Sequence, residues 1–265
     1  MPNESNPLDE KAFQRLFKYE PEKIAGKGIV VTGGTTGIGR AIAMLLVAQG
    51  AKVLIFGRHG TELGEALADL KQVGGGEAYG LVADTSKADD VRRVFETADH
   101  DLGHVDALVN NAALAANSVL DSEPDEWRQV VETNLLGYMA CSRAAAERFR
   151  KNKAGHLVNI GSMSAKVCEA GSDVYVATKA GIRGFTDSLA KQLNEDGIRV
   201  TLIEPGLVGS EMTVDKVPKE GQTAAQEKQE MLQAEELAHA VLYALQQPAR
   251  CNVAVIQLRP TKQII

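Results

Sequence analysis

Tyr175 and Lys179 stand four residues apart in Tyr175-Val176-Ala177-Thr178-Lys179. On a helix that spacing puts both side chains on one face, one turn apart. A free tyrosine titrates near pH ~10. Proton exchange near neutrality therefore needs a stabilised phenolate, which a neighbouring ammonium provides. An ordinary amphipathic helix shows the same spacing, so the pair takes its meaning from its surroundings. Ser162 lies in Asn159-Ile160-Gly161-Ser162-Met163-Ser164, at the end of an apolar run. A strand end, a loop and a helix start can bring its hydroxyl to that of Tyr175, with Ser164 as a competing donor. Asn134, in Asn134-Leu135-Leu136-Gly137, interrupts a helical stretch. Asparagine is a poor helix former; it marks either a role such as holding a water or a plain surface position.

These residues need a scaffold, and the hydrophobic pattern supplies one. Short apolar runs occur at Ile29–Val31, Val53–Phe56, Ala78–Val82, Ala107–Val109, Leu157–Ile160, Val200–Ile203 and Val253–Leu258. Helical periodicity fills the intervals at roughly 38–49, 61–72, 87–101, 125–152, 173–195 and 234–246. Strand and helix in alternation predict an α/β, doubly wound Rossmann-type fold: seven parallel strands in the order 3-2-1-4-5-6-7, with helices on both faces. Residues 28–265 form this single domain. Residues 1–27 precede it as an extension, with a short amphipathic helix carrying Phe13, Leu16 and Phe17 on one face. Gly206 to Leu232 is long, charged and free of strand pattern, the mark of a lid or binding loop.

Open sheets of this kind bind ligands at the carboxyl ends of their strands. After the first strand comes Thr32-Gly33-Gly34-Thr35-Thr36-Gly37-Ile38-Gly39, then a helix. Such a turn lets a pyrophosphate approach the helix N-terminus, although the spacing is GxxxGxG and not GxGxxG, and a glycine-rich turn can also be merely structural. Asp84 and Thr85 follow the third strand; Asp84 suits either an adenine amino group or a helix N-cap. Asn110-Asn111-Ala112-Ala113 ends the fourth strand, where asparagine can tie strands together or reach a ribose. NAD enzymes of doubly wound folds carry an acid after the second strand. Here Gly57 occupies that place, followed by Arg58, a planar donor suited to phosphate, and His59. The expected cofactor is NADP(H), with NAD(H) possible.

Bulk properties narrow the field. The chain has 265 residues, 44% hydrophobic and 24% charged, with net charge −6, ordinary for a globular protein. No basic stripe points to nucleic acid. No run of about 20 apolar residues could span a membrane, and Met1 to Pro7 does not read as a signal peptide; the cytoplasm is the expected location. Cys141, Cys168 and Cys251 are widely spaced, which suggests neither a disulfide framework nor a zinc site but reduced thiols, mostly in the core.

Together these motifs resemble the short-chain dehydrogenase/reductase family, over Gly28 to about Pro260. The matching elements are TGxxxGIG at Thr32–Gly39, NNAx at Asn110–Ala113, the helical Asn134, Ser162, YxxxK at Tyr175 and Lys179, and the turn at Pro205-Gly206. Ala113 replaces a usual glycine, and Ser210 stands where threonine is frequent. The resemblance implies interconversion of a carbonyl and an alcohol, without a metal. Ser162 would bond the carbonyl and Tyr175 protonate the alkoxide, while a nicotinamide supplies hydride. Lys179 would lower the Tyr175 pKa and hold the ribose, and Asn134 would position a water. The cofactor residues implied are Gly33, Thr35, Thr36, Gly37, Ile38, Gly39, Arg58, His59, Asp84, Thr85, Asn111, Ala112, Tyr175, Lys179, Pro205, Gly206, Val208 and Ser210. Ser162, Ser164, Cys168, Tyr175 and Met212 would face a small-molecule carbonyl or alcohol. The family is commonly tetrameric, so a homo-oligomer is expected, and apolar Ile264-Ile265 at the C-terminus agrees. The tail from Gln247 to Thr261 resembles members acting on small hydroxy acids. A catalytically silent cofactor-binding protein of the same fold, or an epimerase or dehydratase, are the competing readings.

Overall fold

The computed structural model describes residues 19–214 and 217–263. The expectations for Phe13, Leu16 and Phe17, and for Ile264 and Ile265, lie outside the described residues. Seven parallel strands form one sheet in the order β3-β2-β1-β4-β5-β6-β7: β1 Gly28–Thr32, β2 Lys52–Gly57, β3 Glu77–Val82, β4 Ala107–Asn110, β5 His156–Ile160, β6 Arg199–Pro205 and β7 Val255–Leu258. The helices between them are α1 Gly37–Ala48, α2 Gly60–Val73, α3 Ala88–Asp101, α4 Pro124–Val131, α5 Gly137–Asn152, α6 Ser164–Val167, α7 Asp173–Glu195, α8 Lys219–Glu227 and α9 Ala234–Leu245.

The near-continuous apolar character of the central strands is what burial on both faces requires. β1 and β5 are buried along their whole length. Successive residues of a strand point to opposite faces, so β1 serves two cores. Ile29 and Val31 join Ile42 and Leu46 of α1, Leu70 of α2 and Val241 of α9. Val30 joins Phe95 of α3, Cys141 and Phe149 of α5 and Leu193 of α7. The outer strands β3 and β7 are half exposed, as befits edges. Residues before β1 add to the first core: Ile24 is buried there, and Glu22 N donates to Gln246 O at the end of α9.

Three details depart from the sequence reading. The helix expected over 125–152 is broken by a π-helical turn at Glu132–Leu136, with Asn134 at its centre. The stretch Gly206 to Leu232 is not all loop: it holds a 3-10 turn at Glu211–Thr213, helix α8 and a parallel bridge between Val208 and Leu232. The weak apolar stripe of α8 hid it, because docking of the buried Gln222 holds the segment through bonds to Ser210 O and Val217 O. Of the three cysteines only Cys141 is buried; Cys168 and Cys251 are exposed. Cys168 caps the short α6 in a left-handed conformation, and Cys251 follows the turn after Pro248, both places where backbone geometry and not core packing decides.

Candidate active site

All strands run parallel, so all their carboxyl ends emerge at one edge of the sheet. The glycine loop after β1, Arg58 after β2, Asp84 after β3, Asn111 after β4, Ser162 after β5 and Pro205 to Ser210 after β6 therefore gather there. Helix α7 adds Tyr175 and Lys179.

The catalytic candidates are held by short hydrogen bonds. Lys179 is buried, and its Nζ donates to Ile160 O at the end of β5 at 2.9 Å. Nζ lies 5.6 Å from the Tyr175 ring centroid and 5.6 Å from that of Tyr138. Burial pushes the Tyr175 phenol up to about 12, with a hydrogen bond from Ser162 opposing and Glu169 adding to the rise. Burial pushes Lys179 down to about 7. Desolvation outweighs any ammonium effect on Tyr175 in this state, since the charged form of each group loses water. The tyrosine is thus protonated at neutral pH, and the lysine is poised between its two forms.

Ser162 and Ser164 are separated by their partners. Ser162 Oγ accepts the backbone N–H of Ser164 at 3.1 Å, which leaves its own proton to donate elsewhere. The Ser164 hydroxyl is committed to Glu169 Oε1 at 3.0 Å. The loop around Ser162 is stitched to β6: Gly161 N donates to Ile203 O and Met163 N to Pro205 O. Asp173 at the start of α7 accepts the Val119 N–H at 3.0 Å, clamping the loop after β4 onto the helix that carries Tyr175.

Asn134 is buried, and its side chain makes three hydrogen bonds. Oδ1 accepts Leu114 N at 2.7 Å, while Nδ2 donates to Leu114 O and to Thr178 Oγ1. The amide therefore clamps a loop to α7, with one lone pair of Oδ1 left over. π-turns of this kind concentrate at functional sites.

The glycine loop has the shape that a dinucleotide needs. Gly33 and Gly37 adopt φ of +62° and +50°, in the left-handed region. A Cβ on Gly39 would come within 2.1 Å of Gly33 O and 2.5 Å of Asn111 Nδ2. Thr36 caps α1 with extended backbone and no side-chain hydrogen bond. The first turn of α1 is thus open to an anion at a helix N-terminus. Asn111 supports the loop from behind, donating to Thr32 O and Gly33 O. A Cβ on Gly33 would meet Ala112, one on Gly37 would meet Ser210, and one on Gly137 would meet Thr85. Thr35 lies against Gly57.

Other positions fall outside this tight cluster. Arg58 and His59 are exposed, and His59 caps α2. Asp84 does not cap α3; Lys87 stands at the N-cap position, without a side-chain bond. Its Oδ1 instead accepts Ser86 N and Oγ in a local turn. Cys168 and Met212 are exposed, on the segments that follow β5 and β6. Val208 is buried under the bridge to Leu232. Among the described residues no cluster of three or more His, Cys, Asp or Glu is arranged to hold a metal ion, and no helix is long and apolar enough to cross a membrane.

Two residues with a direct bearing on the site escaped the sequence reading. Tyr138 shares the Ile160 carbonyl with Lys179. Glu204, fully buried on β6, accepts Arg183 of α7 at 2.5 and 2.6 Å and Gln257 of β7 at 2.6 Å. The available signals were a tyrosine one helical turn after Asn134 and an acid between the apolar run Val200–Ile203 and the turn at Pro205-Gly206.

A parallel doubly wound sheet, a bare-backbone loop at a helix N-terminus and a serine, tyrosine and lysine at the same edge define a dinucleotide-dependent oxidoreductase. The chain belongs to the short-chain dehydrogenase family, whose model matches residues 27–221. It is 34% identical to an uncharacterised oxidoreductase of Staphylococcus aureus strain MRSA252, across 89% of this chain and 98% of that protein. Two solved structures are similar. One is a serine dehydrogenase in its closed form with NADP+, with TM-score 0.80 and 30% identity over 89% of this chain and 96% of that one. The other is a metagenomic short-chain oxidoreductase in complex with NADP, with TM-score 0.77 and 27% identity over 91% of this chain and 100% of that one.

Proposed function

We propose that this protein interconverts a small ketone, aldehyde or keto acid and its alcohol, with NADP(H) preferred over NAD(H) and Tyr175 as proton donor and acceptor. The observation that carries the reading is the cluster itself: Lys179 buried on the Ile160 carbonyl, 5.6 Å from the Tyr175 ring, with Ser162 bonded to the same phenol. When bound, the nicotinamide dinucleotide supplies or accepts the hydride. With substrate bound, Ser162 turns its proton from Tyr175 to the substrate oxygen. Tyr175, protonated at neutral pH, donates to that oxygen as charge develops on it. Lys179 in its ammonium form stabilises the phenolate left behind. In the oxidative direction the same groups take the proton back.

The open N-terminus of α1 is suited to the pyrophosphate, and the absence of a carboxylate at Gly57 with Arg58 beside it favours a 2′-phosphate. The relatives with bound NADP support that preference. Similarity to a serine dehydrogenase supports a small hydroxy acid as the substrate class. We also read the protein as cytoplasmic and as a homotetramer. Exposed Leu136 and Met139 beside and on the long α5 favour a helix-paired interface, and sedimentation showing only monomer would overturn it.

The test is Tyr175→Phe, which keeps the ring and removes the proton. Turnover should fall by about 10²–10⁴-fold, with NADPH binding retained. Near-normal turnover would exclude the mechanism.

A further inference from the structure

Ile160 ends β5 two residues before Ser162, and its carbonyl oxygen serves two donors. Lys179 Nζ reaches it at 2.9 Å and Tyr138 Oη at 3.1 Å. Tyr138 is fully buried on α5, and a buried phenol needs a hydrogen-bond partner. A phenylalanine would fill nearly the same volume without drawing on that carbonyl. The ring centroid of Tyr138 also lies 5.6 Å from Nζ, the same distance as that of Tyr175. The lysine therefore sits near two phenol rings, at a distance where a ring face attracts a cation.

We propose that Tyr138 is a positioning residue for Lys179. Its ring favours the ammonium, while its hydroxyl competes for the carbonyl that anchors the ammonium. The proposal rests on the reading of Tyr175 and Lys179 as the proton-transfer pair. The groups that face Lys179 are Tyr175 from its own helix, Tyr138 from α5 and the Ile160 carbonyl from β5. Cys141 acts on Tyr138 from α5, and Glu169 acts on Tyr175 from the loop before α7. Burial alone depresses the lysine, to about 7. A small change in the ring or the carbonyl is therefore read out near neutral pH.

The test is titration of Lys179 in the unliganded full-length protein, by NMR of lysine labelled with carbon-13 at the ε position. The signal is assigned by its loss in Lys179→Met. Tyr138→Phe isolates the hydroxyl, and its Lys179 midpoint should rise above that of the wild type. Tyr138→Leu compared with Tyr138→Phe isolates the ring, and its midpoint should fall below that of the Phe variant by about half a pH unit. The alkaline limb of kcat/KM, where the ammonium is lost, should move in the same order. An unmoved midpoint in Tyr138→Phe overturns the proposal, whether or not stability or turnover drops, since a mere space-filler changes those alone. Should the Leu variant fail to fold, the Phe variant decides. A wild-type protein that turns over no carbonyl would defeat the functional reading and leave this titration valid.

Discussion

Thr35 fills the space that a side chain on Gly57 would need: its Oγ1 lies 2.8 Å from the point where a Cβ would stand. The glycine loop and the end of β2 thus touch through a residue with no side chain. An acid at position 57, the usual NAD arrangement, cannot enter unless Thr35 moves. Gly57→Asp alone should weaken both cofactors, whereas Gly57→Asp with Thr35→Ala should shift preference toward NADH. Arg58→Ala should raise the Kd of NADPH far more than that of NADH. Fluorescence titration with both nucleotides checks this. Equal losses in the Arg58 variant would show that this side chain does not read the 2′-phosphate.

Ser162 and Ser164 should separate cleanly in kinetics. Ser162→Ala removes the hydroxyl beside Tyr175, and turnover should fall by about 10²-fold or more. Ser164→Ala removes only the bond to Glu169, and its turnover should stay within a few-fold of wild type. Steady-state rates on one carbonyl substrate suffice. A larger loss in the Ser164 variant would reverse the assignment.

The pair formed by Arg183 and Glu204 should be asymmetric in stability. Glu204 is fully buried, while the Arg183 side chain keeps 30% of its exposure. Arg183→Met leaves a buried carboxylate with Gln257 and a distant Lys166, 4.0 Å away. Removing one partner in this way costs about 3–5 kcal/mol. Glu204→Met leaves an arginine that can turn to water, so its cost should be smaller. Urea unfolding of both variants decides the order, and the reverse order would show that α7 is not anchored by this charge pair.

His156 should make the protein acid-sensitive. It is buried, with Nε2 2.8 Å from Thr201 Oγ1, and burial first and then Arg199 push its pKa down to about 3. Between the unfolded value of about 6.5 and 3 the unfolded chain binds a proton that the native state refuses. Stability from this residue is therefore complete above about 6.5 and declines as pH falls toward 3. His156→Gln should flatten the fall of Tm across that window. An identical pH dependence of Tm in the variant would assign the acid sensitivity to other groups.

The sequence alone determined the scaffold, through local periodicity, and the candidates for chemistry, through motifs that resemble a family. Alternation in β1 assigns Ile29 and Val31 to one core and Val30 to the other. Spacing by four puts Tyr175 and Lys179 on one helix face, and parallel strands send every loop motif to one edge. Tertiary packing decided what those groups do to one another. Burial, which no spacing encodes, brings Lys179 to about 7 and takes Tyr175 to about 12. Ser162 and Ser164 differ in their partners because Glu169 lies beside the latter and accepts its hydroxyl. Tyr138 meets Lys179 only where α5, β5 and α7 converge on Ile160 O, and Arg183 meets Glu204 only across the face of the sheet. Such contacts join residues far apart in the chain, and no local pattern distinguishes a core tyrosine or a strand glutamate that has a partner from one that has none.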